Sequence, residues 1–247
     1  GSLRQGLRSL ESRLGADIIV VPSSAQSKVS FQNMLLQGTT GAFYMDGENL
    51  ERVREVEGVE LAAPIFFSKR VGHSQGTGAV IPAHRELTER LDYENELAVI
   101  LGKDAEKVSE AQVEDCIFGY TVLNDVSARD VQTRHKQWYF GKSLDGFTPM
   151  GPCIVSADEL EFPPQKKIAC RVNGQVRQDS STANLITGIS DIIVMLSEGM
   201  TLKAGTVIAT GTPAGVGMGM TPPTFLKPGD VVECEIEGIG VLRNYVE

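Results

Sequence analysis

Two glutamates stand one residue apart in LDYENELAVILGK, residues 91–103, where Leu97, Ala98, Val99, Ile100 and Leu101 are about to enter a core. Successive strand residues face opposite sides, so Glu94 and Glu96 project together while Asn95 points the other way. Carboxylates held that close repel, and either one of them takes up a proton or a bound cation neutralises the pair. A third acid, Asp125, follows in GYTVLNDVSARDVQ, residues 119–132, where a strand read over Tyr120–Leu123 ends. Three acids suit a hard divalent ion such as Mg²⁺, which takes oxygen ligands and keeps several positions for water or substrate oxygens. Spacing alone leaves a plainer alternative open: solvated acids near strand ends.

Further residues invite chemistry around this trio. Gly211, Gly215 and Gly217 in TGTPAGVG permit tight turns, so backbone N–H groups there can approach an anionic group. The order of a dinucleotide or P-loop signature is absent. Arg129 and Asp130, beside the third acid, read equally as a structural ion pair or as substrate contacts. Lys142, next to Phe140, Gly141 and Leu144, suits a partly buried loop. The histidines are His73, His84 and His135, the last of them in QTRHKQW near the expected mouth of a site.

The elements that must position these residues are mostly strands. KKIACRVNGQVRQD alternates around a central Asn-Gly and reads as a β-hairpin. Helices are expected in SEAQVEDCIFGY and in the amphipathic ISDIIVMLSEGM, which is followed by a strand in TVIATG. With few helices and no βαβ alternation, residues 64–247 are expected to form a β-rich α+β fold with a mixed, rolled or barrel-like sheet. Residues 1–63 read as a separate α/β segment: leucines at helical spacing from Leu3 to Leu14, a short strand in ADIIVVP, and a helix around Leu50, Val53 and Val56.

Bulk properties narrow the function class. The chain has 247 residues, 41% hydrophobic, and a formal net charge of −9 with no basic run, which argues against a nucleic-acid surface and for a small partner. The four cysteines lack metal-ligand spacing and read as buried, reduced thiols. No apolar run approaches the roughly 20 residues of a membrane span, and the first residues are too polar for a signal peptide. A cytoplasmic protein is expected.

Residues 64–247 resemble the catalytic domain of the fumarylacetoacetate hydrolase superfamily. The resemblance is carried, in the family's order, by LDYENELAVILGK, GYTVLNDVSARDVQ, WYFGKSLDGFTPMGPCIV, NGQVRQDSST, IATGTPAGVG and LKPGDVVECEIEGIG. It implies that Glu94, Glu96 and Asp125 coordinate Mg²⁺ or Mn²⁺ together with oxygens of a small 2-oxo acid. It also implies that Lys142 orients the substrate or steadies an enolate, that Gln132 hydrogen-bonds the substrate, and that Thr212 meets its carboxylate; Arg129 is a candidate substrate contact beside them. The activity implied is C–C hydrolysis, decarboxylation or keto–enol isomerisation of a 2-oxo or 1,3-dicarbonyl acid, in a homodimer. Hydrolytic members carry a His and a Glu in an N-terminal lid motif that does not precede Pro64 here, so the general base is unassigned. Residues 16–61 instead resemble the extracytoplasmic domain of an ABC transporter permease, through LGADIIVVP and FYMDGENLERVREVEGVE. A chimeric metal-binding remnant without turnover, or a transporter-associated module, are the alternatives this raises.

Overall fold

The strand pairing that brings the acids together starts from β-branched and aromatic runs bounded by turn residues. The structure, a computed structural model, describes residues 64–134 and 136–247. The α/β segment and permease-like stretch expected within residues 1–63, and His135, lie outside the described residues. From Phe66 to Glu247 the chain forms one compact unit.

Eleven strands and four α-helices are described: β1 (Val80–Ile81), β2 (Leu91–Asp92), β3 (Asn95–Leu101), α1 (Glu110–Cys116), β4 (Ile117–Asn124), β5 (Ser127–Ala128), α2 (Arg129–Arg134), α3 (Tyr139–Lys142), β6 (Met150–Ser156), β7 (Lys167–Val172), β8 (Gln175–Ser181), α4 (Ile189–Ser197), β9 (Val207–Ala209), β10 (Val231–Ile236) and β11 (Gly240–Val246). The fold is β-rich with few helices, as expected. Its hydrogen bonding divides into a five-stranded sheet, β1-β11-β10-β7-β8, a four-stranded sheet, β6-β4-β3-β9, and the short pair β2-β5, and the sheets stay open at their edges.

Local signals account for most elements. Asn173 and Gly174 both adopt positive φ, 52° and 76°, which is what a two-residue hairpin turn between β7 and β8 requires. Helix α1 opens where Gln112 Oε1 accepts the Ser109 N–H at 2.9 Å. It is shorter than the stretch expected to be helical, because Ile117, Phe118 and Tyr120 belong to β4, where branched and aromatic side chains pack against neighbouring strands. Helix α4 buries Ile189, Ile192 and Ile193 and leaves Met195 exposed. All four cysteines are free, but Cys153 on edge strand β6 is exposed rather than buried, since β6 has a neighbour on one side only. Among the described residues no helix is long and apolar enough to cross a membrane.

The core lies where Leu97, Val99 and Leu101 of β3 and Tyr120 and Val122 of β4 meet Ile168, Cys170, Val232, Cys234 and Ile236 of the larger sheet. Each such side chain contributes about 1.5–3 kcal/mol by leaving water. Asn95 ties the two sheets by hydrogen bonds: its Nδ2 donates to the carbonyls of Ala169 on β7 (2.7 Å) and Glu235 on β10 (3.1 Å), and its backbone N–H donates to Gln178 Oε1 on β8 (3.0 Å). The bond to Ala169 is buried and that to Glu235 partly so, and the partner of a buried carbonyl is not easily replaced.

Asn95→Ala is therefore expected to destabilise the protein by about 1–3 kcal/mol, the cost of leaving buried acceptors unpaired. Urea denaturation checks this, with an unchanged midpoint as the contrary result.

Candidate metal centre

Register places the acids on one face. Strands β3 and β4 are antiparallel with Asn95 opposite Asn124, so one step outward Glu94 lies opposite Asp125. The Asp125 N–H donates to the Glu94 carbonyl at 2.8 Å, and the Glu94 N–H to Asn124 Oδ1 at 3.0 Å, which fixes this step. Strand β9 pairs with the other side of β3, Ala209 opposite Ala98, and the same register carries Gly211 to Glu96 and Thr212 to Asn95. Gly211 N–H donates to Glu96 Oε2 at 2.8 Å and Thr212 Oγ1 to the Asn95 carbonyl at 2.9 Å.

Glu94, Glu96 and Asp125 are all buried, and one carboxylate oxygen from each lies within 4.8 Å of the others, a group that could hold a metal ion. The donor set is all oxygen, as a hard divalent cation prefers. Burial, with the charges of Asp125 and Glu94 adding to it, pushes the Glu96 carboxyl up to about 8. The crowding read from the sequence thus falls on Glu96, and a divalent cation is the species that would return it to its ionised form.

Cations surround the other two acids. Lys142 Nζ donates to Glu94 Oε2 at 2.8 Å and to Asp125 Oδ2 at 2.5 Å. It does not sit in a partly buried loop, as its neighbours suggested, but ends the one-turn helix α3 with its side chain 2% exposed. Burial opposes its charge, but Asp125 and Glu94 together outweigh that and raise its pKa. Helix α3 reaches this position because Gly141 has no side chain: a Cβ there would lie 2.5 Å from Gln132 N and 2.9 Å from Ala128 O, so α3 rests directly on the backbone of α2 and of the residue before it. Arg129 Nη1 meets Glu94 Oε1 at 2.5 Å and its Nε meets Asp92 Oδ2 at 2.9 Å. Asp130 turns away to the Thr88 hydroxyl and the Glu89 N–H. Gln132, also buried, accepts from Arg129 Nη1 at 3.2 Å.

Thr212 stands at the edge of the group, donating to Asn95 and accepting from Gln178 Nε2 at 2.7 Å. The glycine loop meets anions, and here they are the protein's own carboxylates: Gly211 N–H at Glu96, and Gly217 and Met218 N–H at Asp92, at 2.7 and 2.9 Å.

Several participants escaped the sequence reading. Lys69 Nζ bonds Asp125 Oδ1 and also the Val126 carbonyl at 3.1 Å. Phe67, two residues earlier, lies 5.2 Å from Lys142 Nζ and packs edge-on against Trp138. Asp92, fully buried, anchors Arg129. The aromatic pair before Ser68-Lys69 in IFFSKR is the one local sign that this segment covers something apolar.

A β-rich domain carrying three buried carboxylates that could hold a metal ion is the class this geometry defines. The chain belongs to the fumarylacetoacetate hydrolase family: the family model described as Fumarylacetoacetate (FAA) hydrolase C-terminal matches residues 42–247. Oxaloacetate tautomerase YisK of Bacillus subtilis is 47% identical over 183 residues, 74% of this chain and 61% of that protein. The solved fumarylacetoacetate hydrolase of psychrophilic Exiguobacterium antarcticum aligns with a TM-score of 0.75 at 43% identity, covering 83% of this chain and 72% of that one. The 2-hydroxyhepta-2,4-diene-1,7-dioate isomerase of Mycobacterium marinum aligns with a TM-score of 0.61 at 39% identity, covering 70% and 64%. The chain spans 61% of the length of the curated tautomerase it matches.

The raised Glu96 pKa has a sign that can be checked. Without metal, ionising Glu96 is harder in the folded than in the unfolded protein, so its contribution to stability is fully present below the ordinary carboxylate range and is lost as pH rises through about 8. Glu96→Gln, a mimic of the protonated acid, is expected to match the wild type near pH 5 in EDTA and to exceed it in stability near pH 9. Denaturant midpoints at the two pH values measure the gap; a constant difference would contradict the assignment.

Proposed function

We propose that this protein is a divalent-metal-dependent enzyme that interconverts keto and enol forms of a 2-oxo acid. The observation that carries the reading is the trio Glu94, Glu96 and Asp125, gathered and buried beside Lys142. The likeness to an oxaloacetate tautomerase and to a dienedioate isomerase supports keto–enol chemistry among the activities considered.

In this reading Glu94, Glu96 and Asp125 hold Mg²⁺ or Mn²⁺, which would supply Lewis acidity toward the substrate's oxo group. The chain's own residues do the rest. Lys142, fixed between Glu94 and Asp125 and shielded from water, places an ammonium where negative charge builds up as a proton leaves the carbon next to the oxo group. Arg129 holds the Glu94 carboxylate in place and is itself anchored by its second contact, with Asp92. Gln132, held by Arg129, and Thr212, held by Asn95 and Gln178, each present a polar group that aligns the substrate carboxylate. Hydrolytic or decarboxylative C–C cleavage of an acylpyruvate-type acid would draw on the same stabilisation, because the bond that breaks also leaves an enolate.

A homodimer is part of the proposal. Ile154 on edge strand β6 and Phe118 on the neighbouring β4 are both more than half exposed, apolar surface that a second copy could cover.

The test combines metal binding with turnover. Mn²⁺ or Mg²⁺ is expected to raise the melting temperature, and the protein is expected to accelerate ketonisation of enol-oxaloacetate, followed by the loss of enol absorbance. Asp125→Asn should abolish the metal-dependent shift. Lys142→Met should retain a metal-dependent shift but lose about 10²-fold or more in kcat/KM, the scale of a deleted electrostatic stabiliser. A metal shift with no turnover of oxaloacetate or acylpyruvates would leave a metal-binding domain without activity, and no shift at all would overturn the reading.

A further inference from the structure

Both oxygens of Asp125 already carry an ammonium: Lys142 on Oδ2 and Lys69 on Oδ1. A divalent ion that uses Asp125 as a ligand must share or displace one of them. The two lysines are not equally placed to yield. Lys142 is bound to a second carboxylate, Glu94, faces the Phe67 ring, and is 2% exposed. Lys69 has the Val126 carbonyl as its only other hydrogen-bond partner among the described residues, and its side chain is 12% exposed, so it has a path toward solvent that Lys142 lacks. Its long, flexible stem lets the ammonium swing by several ångströms without moving the backbone.

Charge balance points the same way. Four buried carboxylates, Asp92, Glu94, Glu96 and Asp125, face three cations, Arg129, Lys142 and Lys69. Even against all four carboxylates, a bound divalent ion added to those three cations leaves an excess positive charge. That excess is uncompensated until an anion enters, and the cation free to meet it is the one the metal has displaced.

We propose that Lys69 exchanges partners: its ammonium holds Asp125 while the pocket lacks a divalent ion, and turns to a carboxylate of the substrate once an ion takes Asp125. This rests on the metal-dependent 2-oxo acid reading above and extends it, making Lys69 a substrate-binding residue that favours dianionic over monoanionic acids. It also makes metal and substrate binding mutually supportive, because the ion frees the group that the substrate then engages.

Two binding measurements test the exchange without recourse to turnover: Mn²⁺ binding followed by the electron paramagnetic resonance signal of free Mn²⁺, and calorimetric titration of the Mn²⁺-loaded protein with oxalate and with its monoanionic analogue oxamate. Lys69→Met removes a competing cation and is expected to tighten Mn²⁺ binding by about tenfold or more. The same variant should weaken oxalate by about tenfold or more and lose most of the preference for oxalate over oxamate. Lys69→Arg should restore that preference. A purely structural lysine would give the opposite first result, since disturbing Asp125 loosens the metal. Unchanged or weaker Mn²⁺ binding in Lys69→Met, or an unchanged oxalate preference, overturns the exchange. Wild-type protein that binds no Mn²⁺ overturns both this and the metal-dependent reading, whereas wild-type binding with an unresponsive Lys69→Met variant overturns the exchange alone.

Discussion

Buried charge is the constraint on which the rest of this structure depends. Asp92, Glu94, Glu96 and Asp125 are each 4% exposed or less, and a carboxylate taken from water costs several kcal/mol unless something opposite replaces the solvent. Arg129, Lys142 and Lys69 supply that replacement for Asp92, Glu94 and Asp125. Glu96 has no ion pair among the described residues and receives a single backbone N–H, from Gly211. The pocket is therefore complete for three anions and short by one, an imbalance that a divalent cation would correct.

The fold serves the constraint by joining each acid to a position that cannot drift. Asn95 sits between the two glutamates in sequence, yet its side chain points to the opposite side and bonds to carbonyls of β7 and β10. The alternation of a strand thus makes one short segment face two environments: an inter-sheet seam on one side and an ionic pocket on the other. Strand β4 brings Asp125 by register, and the end of β9 brings Gly211 and Thr212 by register. The site is assembled at strand ends, where the backbone is still held by the sheet but side chains no longer have to fill the core.

How much of this could be read from the sequence follows from the range of each interaction. The shared face of Glu94 and Glu96 is local, a matter of two-residue periodicity, and Asp125 is marked by a strand that stops. The hairpin at Asn173-Gly174 is marked by residue types that tolerate positive φ. The neighbours of Lys142 suggested a partly buried loop, and its place at the site came into view through the family resemblance. Neither the Lys69 nor the Asp92 ion pair was marked locally, since the partners lie 56 and 37 residues away and no periodicity encodes such a contact. The glycine loop was legible as a set of available N–H groups, but not the identity of the anions, because that depends on which strand end lies beside it. The reach of the helix into β4 was misjudged because apolar residues at 117–120 satisfy either pattern until the neighbouring strands decide.

Gly141 carries a consequence that reaches beyond its own size. Its missing Cβ lets one short helix lie flat on the backbone of another, with no intervening side chain to absorb an error. Even alanine at this position would wedge the two apart, and the ammonium one residue along would be lifted from both of its carboxylates. A site can thus be disabled from a residue that bears no functional group, at a position that needs one hydrogen atom where every other amino acid would place carbon.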